Sequence, residues 1–466
     1  MVFFRKFCFI GFCLILLIPT LILAGEERES CQLCGMWIDQ YQRTGCELVY
    51  NDGKTEHTCG VACMLRIVQE KGVNSFRSIH VKDWNKGATV DAQNAWYSIG
   101  SQLIPDMLPN FIAFADRKDA EAFAAEKGGV VLGFVGAMDT ISPRGQTQPF
   151  RIRQAVTPGQ GSLGLGVAYA YMLKDSVKVG TDGQNPESFI NNNPAQPRAP
   201  KKMEVQTQSL IANYGITDRL AMQMNLPYYE RSMDTLVRQG NQVNTVNARD
   251  DGIGDLAGEV RYNLWRSDFY DKFFTLLAGI TLPTGDFDST RAFNAALKTD
   301  LISTAPGMQQ GAGTPTYLGG LLYSHKWESF WFHGQAVYRV SPKNSNDYKF
   351  GDEYQGGLAV HYTPHYDIML GVEMDASRAM KNEDRGIEIG NTGGTRANLA
   401  FVFDWRFLNA FGGNLNLRGS VGLPVYEDLN SQDFVNAGGR TYTQTQLGEG
   451  FFASLVINFN TRFGQY

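Results

Sequence analysis

The chain has 466 residues, more than one hydrophobic core usually serves, so two or more structural units are expected. A formal net charge of -5, without any Lys/Arg cluster along the chain, argues against nucleic acid as a partner. The 50 Gly beside 29 Phe and 20 Tyr, with few long apolar runs, favour strands and turns over helical packing.

Arg5 and Lys6 precede an apolar stretch from Phe7 to Leu23, and Ala24-Gly25 offers small residues for cleavage, so residues 1–24 read as an export signal. An uncleaved anchor is the alternative, because Ile22 is a poor residue three positions before the cut. No small-residue lipobox precedes Cys8 or Cys13. Beyond Leu23 no window approaches the ~20 apolar residues of a membrane helix, so any further membrane contact requires a closed barrel.

Residues 25–138 mix helical and strand signals. "LVYNDGKTEH" is a hairpin around an Asn-Asp-Gly turn, "CGVACMLRIVQEKG" a helix ending at Gly72, and "SFRSIHVKDW" a strand. The order then repeats. "NAWYSIG" and "NFIAFAD" form a strand pair, "RKDAEAFAAEKGG" a helix with Asp116 as N-cap and Gly128 at its end, and "VVLGFV" a closing strand. Two successive strand-strand-helix-strand units make a small α+β head.

That head holds every cysteine after the signal: Cys31, Cys34, Cys46, Cys59 and Cys63. Cys31 and Cys34 flank two residues, with Met36 just beyond. Cys59 and Cys63, at i and i+4 around the first helix, share one face, with Met64 adjacent. Thiolates and thioethers suit a soft ion such as Cu(I), whereas four thiolates alone suit zinc equally well. An accessible site of two or three ligands would fit transfer to a partner, and an enclosed four-thiolate site would fit structural zinc. A disulfide staple is a further reading, although five thiols leave one unpaired, and a Cys-x-x-Cys redox site is another. Met36, Met64 and Met107 also fit ordinary core positions, and His57 reads as a polar strand end.

This segment resembles the NosL family, accessory proteins of nitrous oxide reductase that bind Cu(I) in the periplasm. The resemblance runs over residues 31–138 and rests on "CQLCGM", "CMLRIV" and "DAQNAWYSIGSQLIPDMLPNFIAFADRKDAEAFAAEKGGVVLGF". It implies that Cys34 and Met36 belong to the copper motif, that Cys31 is an extra thiol, and that Met107 is the methionine of the second unit. Cys59 and Cys63 go beyond the family pattern and either enlarge the site or form a disulfide.

Residues 139–160, rich in Pro, Gly, Gln and Thr, read as a linker. From residue 161 to 466, period-two alternation takes over. In "RLAMQMNLPYY", Leu220, Met222, Met224, Leu226 and Tyr228 share one face and Arg219, Ala221, Gln223 and Asn225 the other. About twelve such segments start near Gly161, Met203, Arg219, Asp255, Lys272, Thr314, Ser329, Glu353, Asp367, Thr395, Gly413 and Gly448. Tight turns alternate strictly with long polar loops, the pattern of an outer-membrane barrel rather than a β-sandwich. Inward charges (Glu259, Arg261, Glu373, Asp375, Asp404, Arg406, Arg418) read as lumen residues that hydrate or pair. "NYGITDRLAMQMNLPY", "DDGIGDLAGEVRYNL" and "LLAGITLPTGDFDST" resemble the transporter-like porin family of the meta pathway of phenol degradation. The implied aromatic cargo is not carried over on turn motifs alone.

The expectation is therefore a multidomain protein: a small α+β domain, then an all-β transmembrane antiparallel barrel of about 12 strands. An even strand count and a long first connection put the head on the short-turn, periplasmic side. The leading function is a copper-binding chaperone or trafficking protein anchored in outer-membrane lipid. Cys31, Cys34, Met36, Cys59, Cys63 and Met107 are its candidate metal ligands, Cu(I) its ion with zinc as the alternative, and a periplasmic metalloprotein or copper transporter its partner. A porin for small hydrophobic compounds with a disulfide-stapled head is the second reading, and a thiol oxidoreductase the third. No G-x-S-x-G, H-E-x-x-H or P-loop is present, so an enzyme is not expected.

Overall fold

The structure, a computed structural model, describes residues 28–141, 147–294, 299–436 and 438–463; the expected signal, Cys8 and Cys13 lie outside them. The described chain divides into two compact units, taken here in turn.

In the N-terminal unit the order is β1 (Cys46–Tyr50), β2 (Thr55–Thr58), α1 (Val61–Lys71), β3 (Phe76–Lys82), β4 (Thr89–Asp91), β5 (Trp96–Ile99), β6 (Phe111–Phe114), α2 (Arg117–Lys127), β7 (Val130–Gly133) and α3 (Phe134–Thr140). Both strand-strand-helix-strand units are present; β4 and α3 are additions that three and seven residues of weak periodicity did not signal. The strands form two antiparallel sheets, β2-β1-β3-β4 and β6-β5-β7. Every residue of α1 from Val61 to Val68 is buried, and the helix ends where Gly72 takes a φ of 81° and its N–H bonds back to the Val68 carbonyl. Leu48, Leu65, Ile79, Tyr97, Ile99 and Phe111 close the core around it; each such buried side chain contributes about 1.5–3 kcal/mol. Asp116 precedes α2 as expected, but its carboxylate makes no cap bond and pairs with Lys86 at 3.0 Å instead.

The second unit is a closed barrel of twelve long strands: β8 (Ser162–Val179), β9 (Arg198–Gly215), β10 (Leu220–Gln239), β11 (Leu256–Arg266), β12 (Lys272–Leu282), β13 (Thr316–Trp327), β14 (Phe330–Val340), β15 (Glu353–His365), β16 (Ile368–Ala379), β17 (Gly394–Ala410), β18 (Gly413–Leu429) and β19 (Gln446–Arg462). Each pairs with its neighbours in chain order, and β8 pairs with both β19 and β9, which closes the ring. The expected starts agree to within five residues, the largest difference being β9, which begins at Arg198 rather than Met203. Several strands run well past ~11 residues; the upper part of β10 continues into a hairpin with Gln242–Ile253, inside what reads from sequence as a loop. At the tight turn between β17 and β18, Phe411 and Gly412 both take positive φ (55° and 71°), as a two-residue hairpin requires.

The side-chain pattern is inverted relative to a soluble protein. On β11, Val260, Tyr262 and Leu264 are 39%, 45% and 43% exposed, while Arg261 and Asn263 between them are 3% and 1% exposed. On β18, Val421 and Leu423 point out while Asn416, Arg418 and Ser420 are buried. An apolar outer wall around a polar interior is the pattern of a strand set solvated by lipid.

Residues 147–157, expected as part of a linker, contact seven strands of the ring. Thr147 sits between the rings of His333 and His361 at 2.8 and 2.9 Å. The Glu373 carboxylate accepts from the backbone N–H groups of Phe150 and Arg151 and lies 3.1 Å from His361 Nε2. Arg151 pairs with Asp375 and Arg153 with Glu259, both at 2.6 Å, and Arg418 donates to Gln148. Ala155 donates to Ser324 and accepts from Thr275. A segment bonded to β11, β12, β13, β14, β15, β16 and β18 of a closed ring occupies its lumen. Several of the inward charges therefore pair with this inserted segment, while Asp404 and Arg418 also pair with each other at 3.4 Å.

Candidate metal centre

Two segments of the N-terminal unit supply the thiols. Cys31 and Cys34 lie on a turn in which Cys31 N–H bonds to the Met36 carbonyl and Gly35 N–H to the Cys31 carbonyl, both at 2.8 Å. This folds Cys-x-x-Cys so that both sulfurs face the same way. Cys59 ends the β2 connection, and Cys63 follows one turn later inside α1. The four Sγ atoms all lie within 4.8 Å of one another and all four residues are buried. Cys34 Sγ is 3.4 Å from Cys59 Sγ, which is 3.8 Å from Cys63 Sγ. A tetrahedral ion with sulfur at ~2.3 Å sets sulfur–sulfur edges of about 3.8 Å, so the cage has the dimensions of a metal–thiolate centre. All five described cysteines are free thiols.

The thiols interact strongly with one another. Hydrogen bonds from Cys34, Cys59 and Cys63 hold the Cys31 thiol well below its ordinary range, although burial opposes them. Hydrogen bonds with Cys31 and Cys34 push Cys59 and Cys63 well above theirs, and burial adds to that rise.

A fifth sulfur completes the wall. Met107 Sδ is 3.7 Å from Cys63 Sγ and accepts from the Arg66 guanidinium at 3.6 Å. Arg66 is 4% exposed and lies three residues after Cys63, on the same side of α1; that i, i+3 spacing was a readable signal for a cation beside the thiols. Asp106, next to Met107, is fully buried; burial raises its carboxyl to about 7, and its Oδ2 has no hydrogen-bond partner among the described residues.

The remaining candidates fall elsewhere. Met36 Sδ accepts from the Tyr41 hydroxyl at 3.1 Å, so the structure gives this sulfur a protein partner rather than a thiol contact. Met64 is a fully buried core residue. His57 bonds Glu29 at 2.7 Å and lies 3.5 Å from Glu47, away from the thiols, as a polar strand end would. Cys46 donates to the Thr44 carbonyl, packs in the core, and has its thiol raised by burial.

Gly60 explains how the two sides of the site fit together. A Cβ added there would lie 1.6 Å from Asp106 Oδ2. Gly60→Ala should push Asp106 and Met107 away from the cage and destabilise the unit by about 1–3 kcal/mol. The check is denaturant-dependent exposure of the cysteines to a thiol reagent, with wild-type protection in the variant counting against this account.

Comparison with known proteins gives two matches along the chain. Residues 23–140 match the NosL family, and residues 202–429 match the family described by the MetA-pathway of phenol degradation. The copper-binding lipoprotein NosL of Stutzerimonas stutzeri is 30% identical over 121 residues, 24% of this chain and 63% of that relative, so the chain spans less than two thirds of its length. Among solved structures, the COG4313 outer membrane channel from Pseudomonas putida F1 aligns with 68% of this chain and 100% of its own at 14% identity and a TM-score of 0.44. The copper chaperone NosL from Shewanella denitrificans aligns with 24% of this chain and 90% of its own at 26% identity and a TM-score of 0.22. The chain thus joins a segment that resembles the NosL family to one that resembles the outer-membrane barrel family of the MetA-pathway of phenol degradation.

Proposed function

We propose that this protein binds Cu(I) in a periplasmic head and holds it at the outer membrane through a barrel, as a copper chaperone or trafficking protein. The observation that carries the reading is the thioether of Met107 against the four-thiol cage. Four enclosed thiolates alone suit structural zinc, whose ligands are thiolate, imidazole and carboxylate; a thioether in the wall favours Cu(I). The inverted side-chain pattern and the barrel-family match support the membrane anchor. An even number of strands and a long first connection favour a periplasmic head. The recipient of the metal would be a periplasmic metalloprotein or a copper transporter.

The second reading, a channel for small hydrophobic compounds, draws on the barrel-family match. The polar lumen filled by residues 147–157 weighs against an apolar path through the barrel centre.

The test is anaerobic titration of the full chain in detergent with Cu(I) and with Zn(II), each against a competing chelator. The variant with Cys31, Cys34, Cys59 and Cys63 all changed to serine serves as the blank. Tight Cu(I) binding that exceeds the blank is the expected result. Binding of Zn(II) with no specific uptake of Cu(I) would refute the copper reading.

A further inference from the structure

Building on the copper reading, we propose that the cage holds two Cu(I) ions as a thiolate-bridged pair rather than one ion. Cu(I) uses two or three soft ligands, and the cage offers more: four thiols whose Sγ atoms all lie within 4.8 Å of one another, and the Met107 thioether 3.7 Å from Cys63. A single two- or three-coordinate ion would leave one or two of the four buried thiols idle. Two ions with three sulfur bonds each need six bonds, which four thiolates supply when two of them bridge. The thioether of Met107 is then a further soft donor at the Cys63 edge, placed to take an ion from that thiolate.

Charge supports the pair. Four thiolates around one Cu(I) carry a net charge of minus three; around two they carry minus two, the same as four thiolates around one zinc ion. The buried guanidinium of Arg66 lies at the edge of the cage, where it donates to Met107 Sδ at 3.6 Å. Loading is a ligand substitution without electron transfer. Each ion enters as Cu(I), the four sulfurs end as thiolates, and every thiol proton still present is released to solvent.

The same cage distances bear on stability of the pair. Bridging requires sulfurs close enough for two ions to share one, and the 3.4 Å separation of Cys34 and Cys59 puts one thiol from each segment at that range. These two are the natural bridges, and Cys31 and Cys63 the terminal ligands.

The experiment is anaerobic Cu(I) titration of the full chain in detergent, read by metal-to-protein ratio, Cu(I)–thiolate luminescence and X-ray absorption, with the four-serine variant subtracted as blank. Two copper ions per chain, luminescence, and a copper–copper scattering vector are expected. Cys59→Ser, which removes a bridge, should drop the ratio to one and abolish the vector, whereas Cys46→Ala, whose thiol bonds the Thr44 carbonyl outside the cage, should keep both. One ion per chain in the wild type without a copper–copper vector overturns the pair and leaves the copper reading standing. No specific Cu(I) uptake overturns both.

Discussion

Cys34→Ser will lower Cu(I) affinity by at least ~100-fold, since even second-shell partners of a metal site are worth ~10–100-fold and Cys34 is placed as a ligand. Met107→Leu should cost less, about 10-fold, and only for Cu(I), because zinc does not use the thioether. Cys46→Ala should leave both affinities unchanged, since its thiol bonds the Thr44 carbonyl in the core. Competition titrations of the full chain measure all three. Equal losses of Cu(I) and Zn(II) affinity in Met107→Leu would remove the argument that separates the two ions.

The pH dependence has a definite sign. Cys59 and Cys63 are raised well above the ordinary thiol value, so they remain protonated at neutral pH and must lose protons on binding. Cys31 is lowered, so its proton is lost more readily than those of Cys59 and Cys63. Apparent Cu(I) affinity should therefore climb with pH, about tenfold per unit for each proton displaced, with the climb continuing through pH 8. A flat profile between pH 6 and 8 would contradict the protonation pattern.

The second large effect concerns the barrel. Glu373→Ala removes the carboxylate that accepts two backbone N–H groups of the lumen segment and sits beside His361. Truncating one partner of a buried charged network costs roughly 3–5 kcal/mol. If about 3 kcal/mol of that bears on the seated segment, the fraction of time it is displaced rises ~100-fold. Planar-bilayer recordings should show this as more frequent openings. Arg153→Ala in the same background should raise them further, because it also removes the ion pair with Glu259 at 2.6 Å. Unchanged conductance in Glu373→Ala would mean that the segment does not limit the path.

Most of the barrel was legible because a strand with lipid on one face and polar side chains on the other writes its period into the sequence: Val260, Tyr262 and Leu264 against Arg261 and Asn263. The thiol cage was half legible. Cys31-x-x-Cys34 and the i, i+4 pair Cys59 and Cys63 each announce a common face, but nothing local says that the two faces meet. Met107 entered only by resemblance; Met36 also entered by resemblance, and its sulfur accepts from the Tyr41 hydroxyl. The lumen segment was not legible at all. Its partners lie from about 60 to 270 residues away in sequence, and an extended strand-less peptide satisfied by side chains leaves no period to read.

The ligands come from two segments, with 25 residues separating Cys34 from Cys59. An ion that joins them closes a loop, and a cross-link over that span removes roughly 3–4 kcal/mol of chain entropy from the open state. On the proposed copper reading, loss of the metal would free the first turn of the head to open before the rest of its core, and release would be a local unfolding event. Release would then be favoured by the disorder it sets free, and reloading would have to fold that turn again.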